Sequence, residues 1–155
     1  MDAVIITIGT EILMGELIDT NSAYLGDQLP RIGIRLKKLV SVGDNLREIR
    51  ETLESELMAT DIVLTTGGMG PTSDDLTREA IAEFCGEKLS IDIDQLSILK
   101  RTFKARNQFM PDTNLKQASL IPSASAIPNP NGTAPGWFVE NRGKIIIALP
   151  GPPVE

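Results

Sequence analysis

Residues 61–86, DIVLTTGGMGPTSDDLTREAIAEFCG, carry the pattern that decides the fold of this chain. Asp61 to Thr66 is a short, apolar, β-branched run, which predicts a strand buried on both faces of a parallel sheet. Gly67-Gly68-Met69-Gly70-Pro71 breaks that run, and Leu76, Ala80, Ile81 and Phe84 then recur at helical intervals up to a stop at Gly86. Strand, glycine loop and helix in succession form the repeating unit of doubly wound α/β domains.

Two more such units lie upstream. Ala3 to Gly9 (AVIITIG) reads as a first buried strand, and a helical pattern runs from Thr20 through Leu25 and Leu29 to Ile32. Asn21 is its expected N-cap and Gly33 its stop, with Pro30 ending or kinking it early. Arg35 to Val42 is the second strand. Asn45 and Glu48 have capping-box spacing ahead of Leu46, Ile49, Leu53 and Leu57, which predicts the next helix. The first strand and the strand at 61–66 are both expected to be central, because both are apolar throughout. Downstream, Asp94 to Arg106 reads as a helix, and proline-rich Ser119 to Pro135 as mostly extended loop. Trp137–Glu140 and Lys144–Leu149 read as strands around the turn Asn141-Arg142-Gly143, an antiparallel edge. The expected fold is a single three-layer α/β/α domain over residues 1–155, doubly wound, with a mixed and mostly parallel sheet. The sequence stops just past a strand, at Pro150–Glu155, where a domain of this kind is expected to continue.

Composition narrows the chemistry. Of 155 residues, 41% are hydrophobic and 23% charged, an ordinary globular balance with no run long enough to span a bilayer. Met1-Asp2-Ala3-Val4 lacks the basic start of a signal peptide, so the cytoplasm is the expected compartment. A net charge of −6 argues against a broad grip on nucleic acid, so any anionic ligand must be held locally. There is no histidine and a single cysteine, Cys85. Triads built on histidine, cysteine-based zinc sites and internal disulfides are therefore excluded, and a metal, if used, is a hard, oxygen-bound one.

In open α/β sheets ligands sit beyond the carboxyl ends of the strands. Three loops there carry chemistry. Gly9-Thr10-Glu11 places a hydroxyl and a carboxylate after the first strand, and Gly43-Asp44-Asn45 follows the second, where Asp44 serves either the site or the helix start. Gly67-Gly68-Met69-Gly70 can turn backbone N–H groups onto an anion at a helix N-terminus, with phosphate the natural guest. A bulky residue at Gly68 is expected to block the ligand's approach. Asp74-Asp75 beside such a nest would repel an anion unless a divalent cation, Mg²⁺ or similar, bridges them. The plainer alternative is that Asp74 caps the helix and Asp75 faces its positive end. Lys116 in Asn114–Ala118 offers a cation, and Asn131-Gly132-Thr133 lies in a second small-residue loop.

Thr65 to Thr77 (TTGGMGPTSDDLT) is similar to the T-T-G-G-x-G-P-x-x-x-D-x-T signature of the molybdopterin-binding fold of molybdenum-cofactor biosynthesis. Gly9–Gly15 (GTEILMG) and Leu149–Pro153 (LPGPP) resemble its first and last loops. Asn114–Ala118 (NLKQA) and Asn129–Gly136 (NPNGTAPG) resemble the N-terminal domain of the competence/damage-inducible CinA family. The resemblance implies a mixed-sheet α/β/α fold, homo-oligomers and a small phosphate-bearing ligand at Gly67–Gly70. For the CinA-type domain it implies divalent-cation-dependent hydrolysis of the pyrophosphate of ADP-ribose or a related nucleotide. For the cofactor-biosynthesis relatives it implies molybdopterin binding, with adenylylation in some. The family's acidic positions carry over to Asp44 and Asp75, and the C-terminal amidase domain of long CinA proteins is missing from the sequence. Placement and resemblance together nominate Asp44, Asp75 and Lys116 as catalytic residues, with Glu11, Asp74 and Asp75 for the cation. Gly9, Thr10, Thr66, Gly67, Gly68, Gly70, Asn131, Gly132, Thr133 and Gly151 are nominated for the phosphate-bearing ligand.

Overall fold

The computed structural model describes residues 1–155. Its main sheet has six strands in the order β2-β1-β3-β8-β7-β6. β1 (Asp2–Ile8), β2 (Arg35–Val42), β3 (Ile62–Thr66) and β8 (Lys144–Leu149) run parallel, while β7 (Gly136–Asn141) and β6 (Ala124–Ile127) add an antiparallel edge. This is the mixed α/β sheet expected from sequence, with β1 and β3 both interior.

Alternation along the central strands sorts the core into two layers. Val4, Ile6 and Ile8 of β1, Val63 of β3 and Ile146 of β8 pack under α3 (Leu46–Ala59) and α4 (Thr77–Cys85), together with Trp137 and Val139. Ala3 and Ile5, with Ile62 and Leu64, face the other way against Leu25 and Leu29 of α2 (Thr20–Arg31). The chain therefore leaves β1 for one face of the sheet and β3 for the other. A crevice opens between adjacent parallel strands at such a reversal, and ligands in α/β sheets use it.

Several local details differ from expectation. Asp19, not Asn21, caps α2, because its Oδ1 accepts from the Ser22 amide at 2.9 Å. Pro30 sits in the last turn of α2 without shortening it, since the helix continues to Arg31. Segment 119–135 is less irregular than its prolines suggest: it holds β6 and a two-residue strand, β5 (Ser119–Leu120), paired with β4 (Ser90–Ile91). β6 is Ala-Ser-Ala-Ile, too small-sided to give an apolar alternation, and it forms through its ladder with β7. A four-residue helix α1 (Thr10–Leu13) and a 3₁₀ segment (Asp112–Ala118) also carry no periodic signal. The remaining helix, α5, spans Ile93–Ala105, with Asp92 as its N-cap.

Leu53 is fully buried in the larger core layer, whereas Leu39 on β2 is 54% exposed. Leu53→Ala is expected to cost about 2–5 kcal/mol and Leu39→Ala under ~1 kcal/mol. Urea denaturation followed by the fluorescence of Trp137, the one tryptophan, measures both.

Candidate functional site

A cleft of about 780 Å³ occupies the crevice beyond the carboxyl ends of β1, β2, β3 and β8, lined by Gly9, Asp44, Gly67–Pro71 and Gly151 among others. The strand ends are stitched across it: the Gly9 amide donates to Val42 O and the Gly67 amide to Leu149 O, both at 3.1 Å.

The glycine loop is held from behind by the first turn of α4. Thr77 Oγ1 donates to Gly67 O at 2.8 Å and the Thr77 amide donates to Gly68 O at 3.2 Å. The Arg78 guanidinium donates to Met69 O and, at 3.1 Å, to Gly70 O. Four consecutive carbonyls are thus satisfied by two adjacent residues, both fully buried. The Gly67 amide is spent on β8 and the Gly70 amide on Asp75 Oδ1 at 2.8 Å, but the amides of Gly68 and Met69 donate to no protein acceptor. Two adjacent free N–H groups at the entry to a helix form an anion-binding concavity.

The glycines answer to this arrangement rather than to a ligand's approach. Gly67 and Gly68 have φ of +95° and +64°. A Cβ on Gly67 would collide with the Ile8 carbonyl, and one on Gly68 with Thr77 Oγ1. The side chain expected to block the ligand at position 68 would instead push α4 away from the loop.

Burial drives the Arg78 pKa down to about 10, against the pull of the Glu79 and Asp75 charges, so it stays protonated at neutral pH. Its charge lies directly behind the free amides. The residue carried no sequence signal, since an arginine in the first turn of an amphipathic helix reads as a solvated side chain.

The nominated residues divide into those that reach the cleft and those that build its walls. Glu11, Asp44, Asp74 and Asp75 all line it, as do Gly9, Thr66, Gly67, Gly68, Gly70, Thr133 and Gly151. Asp44 does not cap α3: Asn45 does, accepting from the Glu48 amide at 3.1 Å. Asp44 Oδ2 instead accepts from the Thr10 amide (2.9 Å) and hydroxyl (2.8 Å), tying the first two loops together and consuming Thr10. Asp75 neither caps α4 nor stands open. Its carboxylate accepts from the Gly70 amide, the Thr72 amide (both 2.8 Å) and the Thr72 hydroxyl (2.6 Å), and so closes the loop on itself. Burial raises its pKa, but those hydrogen bonds and the nearby Lys116 outweigh burial and leave it below the usual carboxylate range. Asp74 is exposed, and α4 has no side-chain cap.

Lys116 does not line the cleft. Its ammonium donates to Thr72 O (3.0 Å) and Asp75 O (2.6 Å) and pairs with Glu79 at 3.1 Å, so it braces the outer half of the loop. Asn131 and Gly132 also stay out of it: their amides donate to Asn129 Oδ1, folding the second small-residue loop. Asp19, not nominated from sequence, lines the cleft and is bound by Thr7 and Ser22; burial raises its pKa less than these bonds lower it.

Carboxylates of Glu11, Asp19, Asp44, Asp74, Asp75 and Glu155 line the cleft, and no lysine or arginine does. No three acids converge closely enough to cage a metal by themselves. This donor set fits a hard cation that takes its remaining ligands from water and phosphate, as Mg²⁺ does, with Glu11, the free Oδ1 of Asp44 and the Oδ2 of Asp74 among the available protein oxygens.

Comparison with known proteins identifies the family and the fold. Residues 4–155 match the family described as a probable molybdopterin binding domain. A CinA-like protein of Deinococcus radiodurans is 50% identical over 99% of this chain, and one of Thermomicrobium roseum is 49% identical over all of it. The chain covers 39% and 38% of those two relatives, about two fifths of their length. A crystal structure of the protein CinA with unknown function, from Thermoplasma acidophilum, superposes with a TM-score of 0.92 at 38% identity, covering 99% of this chain and 90% of that one. The molybdopterin biosynthesis enzyme MoaB of Thermus thermophilus shares the fold at a TM-score of 0.62 and 20% identity, over 98% of this chain and 82% of its own.

Thr77→Val keeps the shape of the side chain but leaves Gly67 O unpaired in the interior, and is expected to cost about 1–3 kcal/mol in urea denaturation. Asp75→Asn keeps one acceptor oxygen and must turn its NH₂ toward either the Gly70 amide or the two Thr72 donors, with a similar cost at neutral pH. Because the folded pKa of Asp75 is depressed, its advantage over Asn is complete above the unfolded value of about 4 and disappears as pH falls through the lower folded value. Denaturation series from pH 7 to 2 on both proteins should converge at the acid end.

Proposed function

Because the chain belongs to the molybdopterin-binding domain family and, within it, to the CinA proteins, we propose that it binds a small phosphate ester of the pterin or nucleotide class together with a divalent cation. One observation carries this reading: two free amides, backed by a buried guanidinium, face a cleft whose charged side chains are all carboxylates. Amides and the Arg78 charge attract the phosphate, while the acids repel it unless a cation lies between. The Gly68 and Met69 amides hold phosphate oxygens, and Glu11 and Asp44 Oδ1 hold the cation. The bound cation would neutralise charge on the phosphate and polarise its P–O bonds.

A second reading adds chemistry to the same site: hydrolysis of the pyrophosphate bond of ADP-ribose or a related nucleotide. It is supported by the placement of Asp44, whose Oδ2 is fixed by Thr10 while Oδ1 is free at the rim of the cleft; in this reading Oδ1 takes the proton and the cation is left to Glu11, water and the phosphates. In that reaction water oxygen bonds to one phosphorus, the bridging P–O bond breaks, the second phosphate leaves with the bond's electron pair, and the water proton passes to Asp44. Charge neutralisation and positioning dominate phosphoryl transfer, so the lack of histidine is no obstacle. Self-association belongs to the same family reading, and sedimentation velocity at tens of micromolar tests it directly.

Incubation with ADP-ribose, FAD and ATP, with and without Mg²⁺ and with EDTA, separates the two readings. Cation-dependent release of AMP supports hydrolysis, and Asp44→Asn is then expected to lower kcat by about 10²-fold or more. Pterin phosphate binding without cleavage of any nucleotide leaves the binding function alone. In either case pyrophosphate titrated calorimetrically is expected to bind at least about tenfold more tightly with Mg²⁺ than with EDTA. Equal affinities would sink the cation.

A further inference from the structure

Around the C-terminal half of α5, Lys100, Arg101, Lys104 and Arg106 place four cations within seven residues, and no acid lies between Asp94 and Asp112. The chain as a whole carries a net charge of −6, so this segment opposes the sign of its surroundings. Other surface cations, such as Arg35, Lys38 and Lys116, sit against Asp2, Glu56 and Glu79. These four have no carboxylate: Arg106 donates to Asn131 O at 3.2 Å, and Lys100, Arg101 and Lys104 stand in solvent. Lys100 and Lys104 are one turn apart, about 6 Å along the helix axis, so their like charges repel in the free protein.

Beyond the helix the chain turns back and forms an open hollow of about 450 Å³ between those two lysines and the segment Asn107–Met110. The turn is fixed by the backbone. Asn107 takes a φ of +53°, its amide donates to Lys104 O, and the Gln108 amide donates to Phe103 O, both at 3.0 Å. That pair of bonds is a Schellman closure, with asparagine in the left-handed position that glycine usually fills. It leaves Phe109 87% exposed, in one lining with the half-buried side chains of Phe103 and Met110. The side-chain amides of Asn107 and Gln108 stand exposed in the same lining and bond to no protein atom. The hollow shares no residue with the cleft.

We propose that this hollow docks an acidic segment of a partner protein that carries one aromatic or aliphatic side chain: its carboxylates meet Lys100 and Lys104, and the apolar side chain packs against Phe103, Phe109 and Met110. A carboxylate bound there also relieves the repulsion between the lysines. The free amides of Asn107 and Gln108 each donate and accept, as a peptide bond requires, and methionine adapts to side chains of different shape. A nucleic acid strand fits less well, because it would run past the hollow onto a surface that is acidic overall. A bilayer would strip water from both amides and return no partner.

Fluorescence anisotropy on the whole protein tests this with labelled, capped Glu-Asp-Glu-Phe-Glu-Asp-Glu, the same peptide with alanine in place of phenylalanine, and an oligothymidylate of equal charge. At low salt the phenylalanine peptide is expected to bind with a Kd on the order of 10⁻⁴ M or tighter, at least about fivefold better than either of the others. Phe109→Ala, and separately Lys100→Gln with Lys104→Gln, are each expected to weaken it at least about fivefold, and NaCl at about 0.5 M roughly tenfold. Because all three side chains are exposed, urea midpoints equal to the parent's are expected, which separates lost docking from lost folding. No binding at about 1 mM peptide overturns the proposal. So does equal affinity for the alanine peptide, equal or tighter binding of the oligothymidylate, or cosedimentation with phosphatidylglycerol vesicles that Phe109→Ala abolishes.

Discussion

Four carbonyl groups in a row, Gly67 to Gly70, are each claimed from behind by Thr77 or Arg78, and the candidate site depends on that contact. A peptide unit cannot turn its carbonyl inward without turning its amide the other way, so fixing the carbonyls on α4 is what releases the Gly68 and Met69 amides to the cleft. The same contact accounts for the positive φ values of the loop and for the absence of side chains at 67 and 68, where a Cβ would strike Ile8 or Thr77. A loop assembled this way is in place before any ligand arrives, and preorganised donors lose nothing to reorganisation on binding.

Charge is layered around that loop. A guanidinium sits behind it, and carboxylates in front and to the sides. Burial of Arg78 would be prohibitive without partners, and its partners are carbonyl dipoles rather than an acid in direct contact. Asp75 and Lys116, both natural candidates for catalysis, are instead committed to bracing the loop's outer turn. Charged residues beside a phosphate site thus fall into two kinds here, those that shape the backbone and those that face the ligand, and only hydrogen-bond partners tell them apart.

The sheet explains why the cleft lies where it does. Parallel pairing gathers the carboxyl ends of β2, β1, β3 and β8 at one edge, and the exit of β1 toward α2 and of β3 toward α4 separates the loops there. The antiparallel strands β6 and β7 extend the same sheet, and the loop that joins them brings Thr133 to the cleft.

By itself the sequence determined the principal strands and helices of the parallel core, the central position of β1 and β3, and the family. Apolar β-branched runs, capping residues and a glycine cluster are local signals, and burial on both faces leaves the same apolar run wherever it occurs. It also placed Gly67–Gly70, Glu11, Asp44 and Asp75 around one site, because loops after parallel strands must meet at one edge. Only the tertiary structure decided what each of those residues does. Whether Asp44 caps a helix or binds Thr10, whether Lys116 reaches the cleft or braces Thr72, and whether Arg78 is solvated or buried under four carbonyls all turn on partners distant in sequence. Side-chain roles of that kind follow from the direction of hydrogen bonds across the fold, and spacing along the chain carries no information about direction.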